Sequence, residues 1–444
     1  MAIDLLDEQQ EQAAEPAGRR AQLMANLSSS DTGRAAGLGA AVIVVNVIAL
    51  VFTVVFARVL GASDYGSLAA LISAFIILMV PGSALQIATA RSVSAAVADG
   101  DPMAGGGVRR WLTRLSLATV VVALVAIPLR SLLGAAINVD ELWAAAAVPV
   151  TAMLWMLVSV ERGALQGFQR YKALAFSLVG EATARLFFAI LLVVGGLDVT
   201  GAFLASALSL VAVALVLMVP LRKHLPPAAP DEPARLRDLL AGSWAPVAGL
   251  TLLFALQEVH IIVVKHEASG DDAGSYAVAA VAAKAIIWVA IGLGMYLLPE
   301  AARRARLGED ARPILARTLG LIAAAAVPMV LIYSTVGEPL LSAVFGDDLT
   351  AASGALPWLG LAMALLASAY LSVQYLLALG HAGFIWILGA AALAEVVLLV
   401  AVGANLTGVA IALFGLQVVN AAAILTLAFR TVRATEHADE YLPV

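Results

Sequence analysis

The chain has 444 residues, a formal charge of −5, 62% apolar residues and only 13% charged ones. Soluble domains carry roughly a quarter charged residues, so this composition excludes a water-soluble globule, and it excludes a single membrane anchor on a large soluble domain. The absence of cysteine removes disulfides, thiolate chemistry, cysteine-bound metals and palmitoyl or prenyl anchors, and basic residues scattered over short segments offer no patch for nucleic acid.

In chain order, residues 1–34 form a polar, Glu- and Gln-rich tail whose basic residues come late. That is the reverse of a signal peptide, which begins basic and turns apolar. A bilayer core of about 30 Å takes about 20 helical residues, and the apolar runs that follow predict an all-α integral membrane protein of twelve spans. These lie near 36–60, 66–97, 112–134, 141–161, 173–196, 199–221, 241–265, 275–298, 313–336, 354–378, 383–403 and 407–429. Lys and Arg are retained in cytoplasmic segments. With the tail assigned to that side, twenty basic residues fall inside, and only Arg58, Arg130 and Lys265 fall outside. The spacing therefore predicts both termini in the cytoplasm and a multi-pass protein of the cytoplasmic membrane.

The chain also resembles itself. Gly61 to Ala74 recurs in outline at Ala268 to Ala282, and Thr200-Gly201 and Thr407-Gly408 each open a last helix. Two parallel six-span lobes related by a pseudo-two-fold axis along the membrane normal explain these offsets. The domains are then the tail 1–34, an N-terminal lobe 35–222, a linker 223–240 containing Pro226 to Asp238, a C-terminal lobe 241–430 and a tail 431–444.

The outside loops, of which Val336 to Ser353 is the longest, leave little room for a catalytic domain. No GxxxxGK[ST] motif is present, so ATP hydrolysis has no support, and no cofactor is called for. Gly105-Gly106-Gly107 follows no strand, and the five histidines have no metal-ligand spacing. The pattern reads as a transporter rather than an enzyme.

A charge at mid-membrane costs about 2.5 to 3.5 kcal/mol, so each one there faces protein or water. Arg91, Glu181, Arg185, Glu258, Lys284 and Glu395 lie in the predicted spans, as does His260. Arg185 and Lys284, near mid-depth, suit an anionic substrate such as a phosphate-bearing lipid headgroup; Arg91 lies nearer the inner end, where it can snorkel. Glu181 precedes Arg185 by four residues, the favourable order for an intrahelical pair, and Ser177 extends that stripe as a water-lined wall. Glu258 reads either as a proton or sodium site or as a buried bridge to Lys284, while a lone His260 reads first as an interhelical donor. Glu395, with Glu181, Glu258 and His260, completes the ion-coupling or lumenal candidates.

The segments ARVLGASDYGSLAAL (Ala57 to Leu71), GSALQIATARSVSA (Gly82 to Ala95) and RGALQGFQRYKALAFSLVGEATAR (Arg162 to Arg185) resemble the polysaccharide flippases related to O-antigen translocases. Their superfamily includes multidrug extruders and peptidoglycan lipid flippases. The resemblance implies two six-helix lobes around a cationic cavity and export of undecaprenyl-diphosphate-linked oligosaccharide by alternating access, with a polysaccharide polymerase or glycosyltransferases as partners. Two other readings stay open: an ion-coupled multidrug extruder of the same fold, with an acidic cavity, and a non-transporting membrane partner of a synthase.

Overall fold

The computed structural model describes residues 31–100, 105–225 and 244–431; the expected linker Pro226 to Asp238, most of the first tail and nearly all of the last lie outside them. Among the described residues all regular structure is helical. The first half contains α1 (Asp31–Ala98), α2 (Gly106–Ala126), α3 (Arg130–Ile137), α4 (Leu142–Gly167), α5 (Tyr171–Leu192) and α6 (Asp198–Leu221). The second contains α7 (Trp244–Glu267), α8 (Gly270–Ala283), α9 (Ala285–Arg306), α10 (Arg312–Phe345), α11 (Leu356–Ala378), α12 (Phe384–Val402) and α13 (Leu406–Arg430).

Nine described stretches are long and apolar enough to cross a bilayer, and α2 with α3, bent by 84°, adds a tenth. The longest, Gly37–Ala98, has 62 residues; as one helix it would reach about 90 Å, three bilayer cores. It breaks at Gly61, where φ 77° and ψ 176° suit a residue without Cβ. A second long stretch, Tyr171–His224, breaks in the π-turn Val193–Leu197 at Gly196 (φ 83°). Each break divides one stretch into two passes, which brings the number to the twelve expected. Broken helix exposes N–H and C=O groups that lipid cannot satisfy, and these two breaks fall where the chain turns around.

The outward surface is apolar. Val194 and Trp386 are each 83% exposed and Leu393 75%, which in water would be an adhesive patch and here is the lipid face. Several boundaries differ from the sequence reading. α4 runs on to Gly167, so Arg162 lies inside a helix and not in a basic loop. The expected loop after Val336 is helix as far as Phe345, reoriented at Val336 (φ −131°). The triplet Gly105-Gly106-Gly107 opens α2, and Gly105 lies so near the His224 carbonyl that a Cβ would overlap it.

The halves meet along α1, α7 and α8. We call the end with the Gly61 break and the Glu267–Gly270 turn the hairpin end, and the opposite one, with Asp99, Gly105 and the segment 307–311, the basic end. Gly66 and Gly274, 208 positions apart, face each other across this seam: a Cβ on Gly66 would come within 2.9 Å of the Gly274 nitrogen, and one on Gly274 would overlap the Ala62 carbonyl. Equivalent residues in contact place the pseudo-two-fold axis between them.

Candidate functional site

α8 ends at Ala283, and Lys284 occupies the corner before α9 begins. A helix break inside the membrane strands carbonyls; Tyr333 of α10 donates to Ala282 O at 2.7 Å and relieves one of them. A cation at the C-terminus of α8 also meets the negative end of its dipole. Lys284 Nζ donates to Glu258 Oε2 at 2.7 Å. The same oxygen accepts Ser73 Oγ at 2.7 Å from the other lobe, and Gln257 Nε2 donates to Glu258 Oε1 at 2.9 Å. Ser73 stands twelve residues past Gly61, about 18 Å along the helix at 1.5 Å per residue, which is mid-depth. The bridge read as one alternative for Glu258 is therefore formed, and the opposite lobe holds it too.

Two further groups sit behind this pair. His260, fully buried, has Nδ1 3.0 Å from Tyr276 Oη, while its Nε2 has no partner among the described residues. Glu395 of α12 is fully buried, with both carboxylate oxygens unpartnered among the described residues. In α13, Asn420 donates to Gln417 Oε1 at 3.0 Å, leaving Gln417 Nε2 and Asn420 Oδ1 unpartnered. A buried carboxylate without hydrogen-bond donors is costly as an anion. Among the described residues no three His, Asp or Glu side chains come together as a metal-binding group, so they form no dense metal cage.

The first lobe is organised differently. The expected Glu181–Arg185 pair within α5 is not made. Glu181 Oε2 instead lies 2.8 Å from Arg162 Nη2 of α4. Arg162, 1% exposed, also donates Nε to Ser177 Oγ at 3.1 Å and Nη2 to the Ser177 carbonyl at 3.0 Å, and it stacks 5.6 Å from the Trp155 ring. The stripe Ser177–Glu181 is thus an interhelical face against α4 and not a water-lined wall. Several acceptors converging on one guanidinium satisfy it far better than a single residue on its own helix does. Arg185 is left with Nε unpartnered among the described residues, its guanidinium 5.1 Å from the Phe52 ring. Arg91 is exposed near the basic end of α1.

The structure thus gathers Glu258, Lys284, His260 and Glu395 in one lobe, gives Glu181 to Arg162, leaves Arg185 one turn from Glu181 without an ion pair among the described residues, and places Arg91 apart from both. Sequence reading missed Arg162, Ser73, Trp155 and Tyr276. The signal for Arg162 was available: Glu161-Arg162 lies within an apolar run that continues to Gly167. Ser73 had none, because a serine in an alanine-rich helix carries no mark of the partner it meets.

Side-chain hydrogen bonds between the lobes gather on one side of the molecule. Among the described residues they are Ser73 to Glu258, Arg58 to the Ala343 and Val344 carbonyls, Asn138 to the Lys265 carbonyl, and His266 to the Ala135 carbonyl. Through these residues the lobes are joined between mid-depth and the hairpin end.

A sequence profile described as polysaccharide biosynthesis protein matches residues 35–303. No curated protein matches the chain significantly. Among solved structures, an inward-facing multidrug resistance MATE transporter of the MOP superfamily superposes with TM-score 0.73 at 12% identity, over 87% of this chain and 94% of that one. The lipid II flippase MurJ in an inward closed conformation gives 0.63 at 12% identity, over 88% and 87%. A MOP superfamily transporter from Pyrococcus furiosus, described as having a binding pocket of reversed polarity, gives 0.59 at 14% identity, over 91% and 97%. At such identities the likeness is one of fold.

Proposed function

The chain belongs to the polysaccharide biosynthesis protein family, and we propose that it is a flippase that carries an undecaprenyl-diphosphate-linked oligosaccharide across the cytoplasmic membrane by alternating access. The observation that carries this reading is Lys284, a mid-depth cation at a helix corner on the seam between lobes. Its partner Glu258 is held by Ser73 of the other lobe, so separating the lobes weakens the competitor for Lys284 and frees the ammonium for an incoming diphosphate. Arg185, with no carboxylate partner among the described residues, and Arg91, exposed at the basic end, serve as further anion contacts along an entry from that side. On the proposed topology both termini and the basic end face the cytoplasm, where the lipid-linked precursor is made, and a polymerase or glycosyltransferases act before and after it. No bond is made or broken, so the role is transport and not catalysis.

Glu395 is proposed as the ion-coupling residue, because a carboxylate buried without partners favours taking up a proton or cation, and His260, held by Tyr276, is proposed as its neutral neighbour. Glu181 is proposed as structural, since Arg162 holds it. The test is export of surface polysaccharide in a strain lacking the native gene, complemented with Lys284→Ala, Arg185→Ala or both. A drop of about tenfold or more in the double variant, with normal membrane levels, is expected; undiminished export would sink the cationic-site reading. The orphaned Glu395 also favours a second reading, a cation-coupled multidrug extruder. It predicts that drug accumulation rises on gene deletion while polysaccharide stays unchanged.

A further inference from the structure

The 208-residue offset that relates Gly66 to Gly274 also relates Arg58 to His266 and Ala135 to Ala343. Arg58 Nη2 donates to the Ala343 carbonyl and its Nε to the Val344 carbonyl at 3.0 Å. His266 Nε2 lies 3.2 Å from the Ala135 carbonyl. The two clamps are therefore one contact made twice: the last turn of each lobe's first span grips the short helix that follows the other lobe's third span. One grip uses a permanent cation and the other an imidazole.

The imidazole meets carbonyl oxygens at both nitrogens, since Nδ1 lies 2.9 Å from the Ile262 carbonyl of its own helix. A carbonyl oxygen only accepts, and a neutral imidazole carries one N–H. Both contacts are hydrogen bonds only when both nitrogens are protonated. We infer that His266 is a proton-binding site that latches the hairpin-end seam, so that closing this mouth takes up a proton and acid outside favours return to the closed-mouth state. The inference rests on the alternating-access reading but not on the identity of the cargo.

Because the closed seam holds the proton, closure is favoured at low pH and weakens as pH rises. The other charged groups on the elements packed here are Lys265 and Glu267 beside His266, Asp140 and Glu141 after α3, Arg130 at its start, Asp64 in the first hairpin, and Asp271 and Asp272 opening α8. Glu141 is the competing titratable group. Burial, with Asp64 and Asp140 adding to it and Lys265 opposing, pushes its carboxyl up. Asn138, in the left-handed conformation at the end of α3 (φ 59°), completes the same grip by donating to the Lys265 carbonyl at 2.6 Å.

The chain has no native cysteine, so spin labels go cleanly on Leu132→Cys and Glu338→Cys, exposed positions on opposite lobes at the hairpin end. Distance distributions of the full chain in lipid nanodiscs, without cargo, then report the seam. The closed-to-open ratio is expected to rise about threefold or more from pH 8 to pH 5.5. His266→Gln flattens this response on the open side, His266→Arg flattens it on the closed side, and Arg58→Gln lowers closure at both pH values while keeping the response. Glu141→Gln keeps it too. A pH response that survives His266→Gln, disappears with Glu141→Gln, or is absent from the unsubstituted protein overturns the proposal. Export assays on Lys284 variants judge the cargo reading separately, because the seam measurement needs no cargo.

Discussion

The two halves of this chain share an architecture but use their buried charges differently. In the first, Arg162 and Glu181 pair between α4 and α5, wholly within the lobe, with Ser177 accepting from Nε and Nη2 of the same guanidinium. In the second, Glu258 and Lys284 pair between α7 and the corner after α8, and Ser73 of the other lobe binds the same carboxylate oxygen. A pair that never crosses the seam is indifferent to lobe movement and holds the lobe together. A pair on the seam changes its surroundings whenever the lobes part, and only such a pair can register transport.

Substitutions test this contrast. The largest effect on folding is expected from Arg162→Ala, which empties a fully buried site and leaves the part-buried Glu181 carboxylate without its cation, at a cost of about 3 kcal/mol or more. Reduced membrane yield and a lowered unfolding temperature in detergent check it, and an unchanged yield would remove Arg162 as the lobe's staple. Next comes Gly274→Leu. Its side chain enters the space of the Ala62 carbonyl, so the hairpin end cannot close, and export falls by about tenfold or more while the lobes fold normally. Labels at Leu132→Cys and Glu338→Cys should then read only the longer separation.

Lys284→Ala follows, with a smaller loss of stability than Arg162→Ala, because Glu258 keeps Ser73 and Gln257 as donors. Equal destabilisation by the two changes would erase the distinction between the halves. Glu395→Gln is expected to leave stability unchanged or slightly raised, since its oxygens have no partners to lose among the described residues. It should remove the dependence of export on the ion gradient, as measured by transport in vesicles with the gradient collapsed. The smallest effect belongs to Arg58→Ala, an exposed group donating to two carbonyls, worth about 1 kcal/mol and read as a few-fold shift toward the open seam.

Much of the fold was legible because lipid imposes a narrow rule: a spanning helix needs about 20 apolar residues, so span number follows from the runs. The duplication was legible for a similar reason, since helix turns of like geometry reuse glycines and small residues at fixed offsets. The candidate site was legible only as a set of residue types. Glu181 and Arg185 look paired on paper, yet the donor that reaches Glu181 lies nineteen residues back. Ser73, in a run of alanine and leucine, meets a glutamate 185 positions away.

Residue type and local spacing were enough for the membrane class, the twelve spans, the repeat and the roster of charges the bilayer must enclose. All of these follow from transfer free energy, which each segment carries whatever its neighbours are. Folding in three dimensions was needed to show which of those charges neutralise one another, where the lobes are joined by hydrogen bonds, and that Arg58 and His266 grip the opposite lobe from equivalent places. Those facts depend on which helix faces confront each other across distance, and a hydrogen bond has an energy only once its donor and acceptor meet.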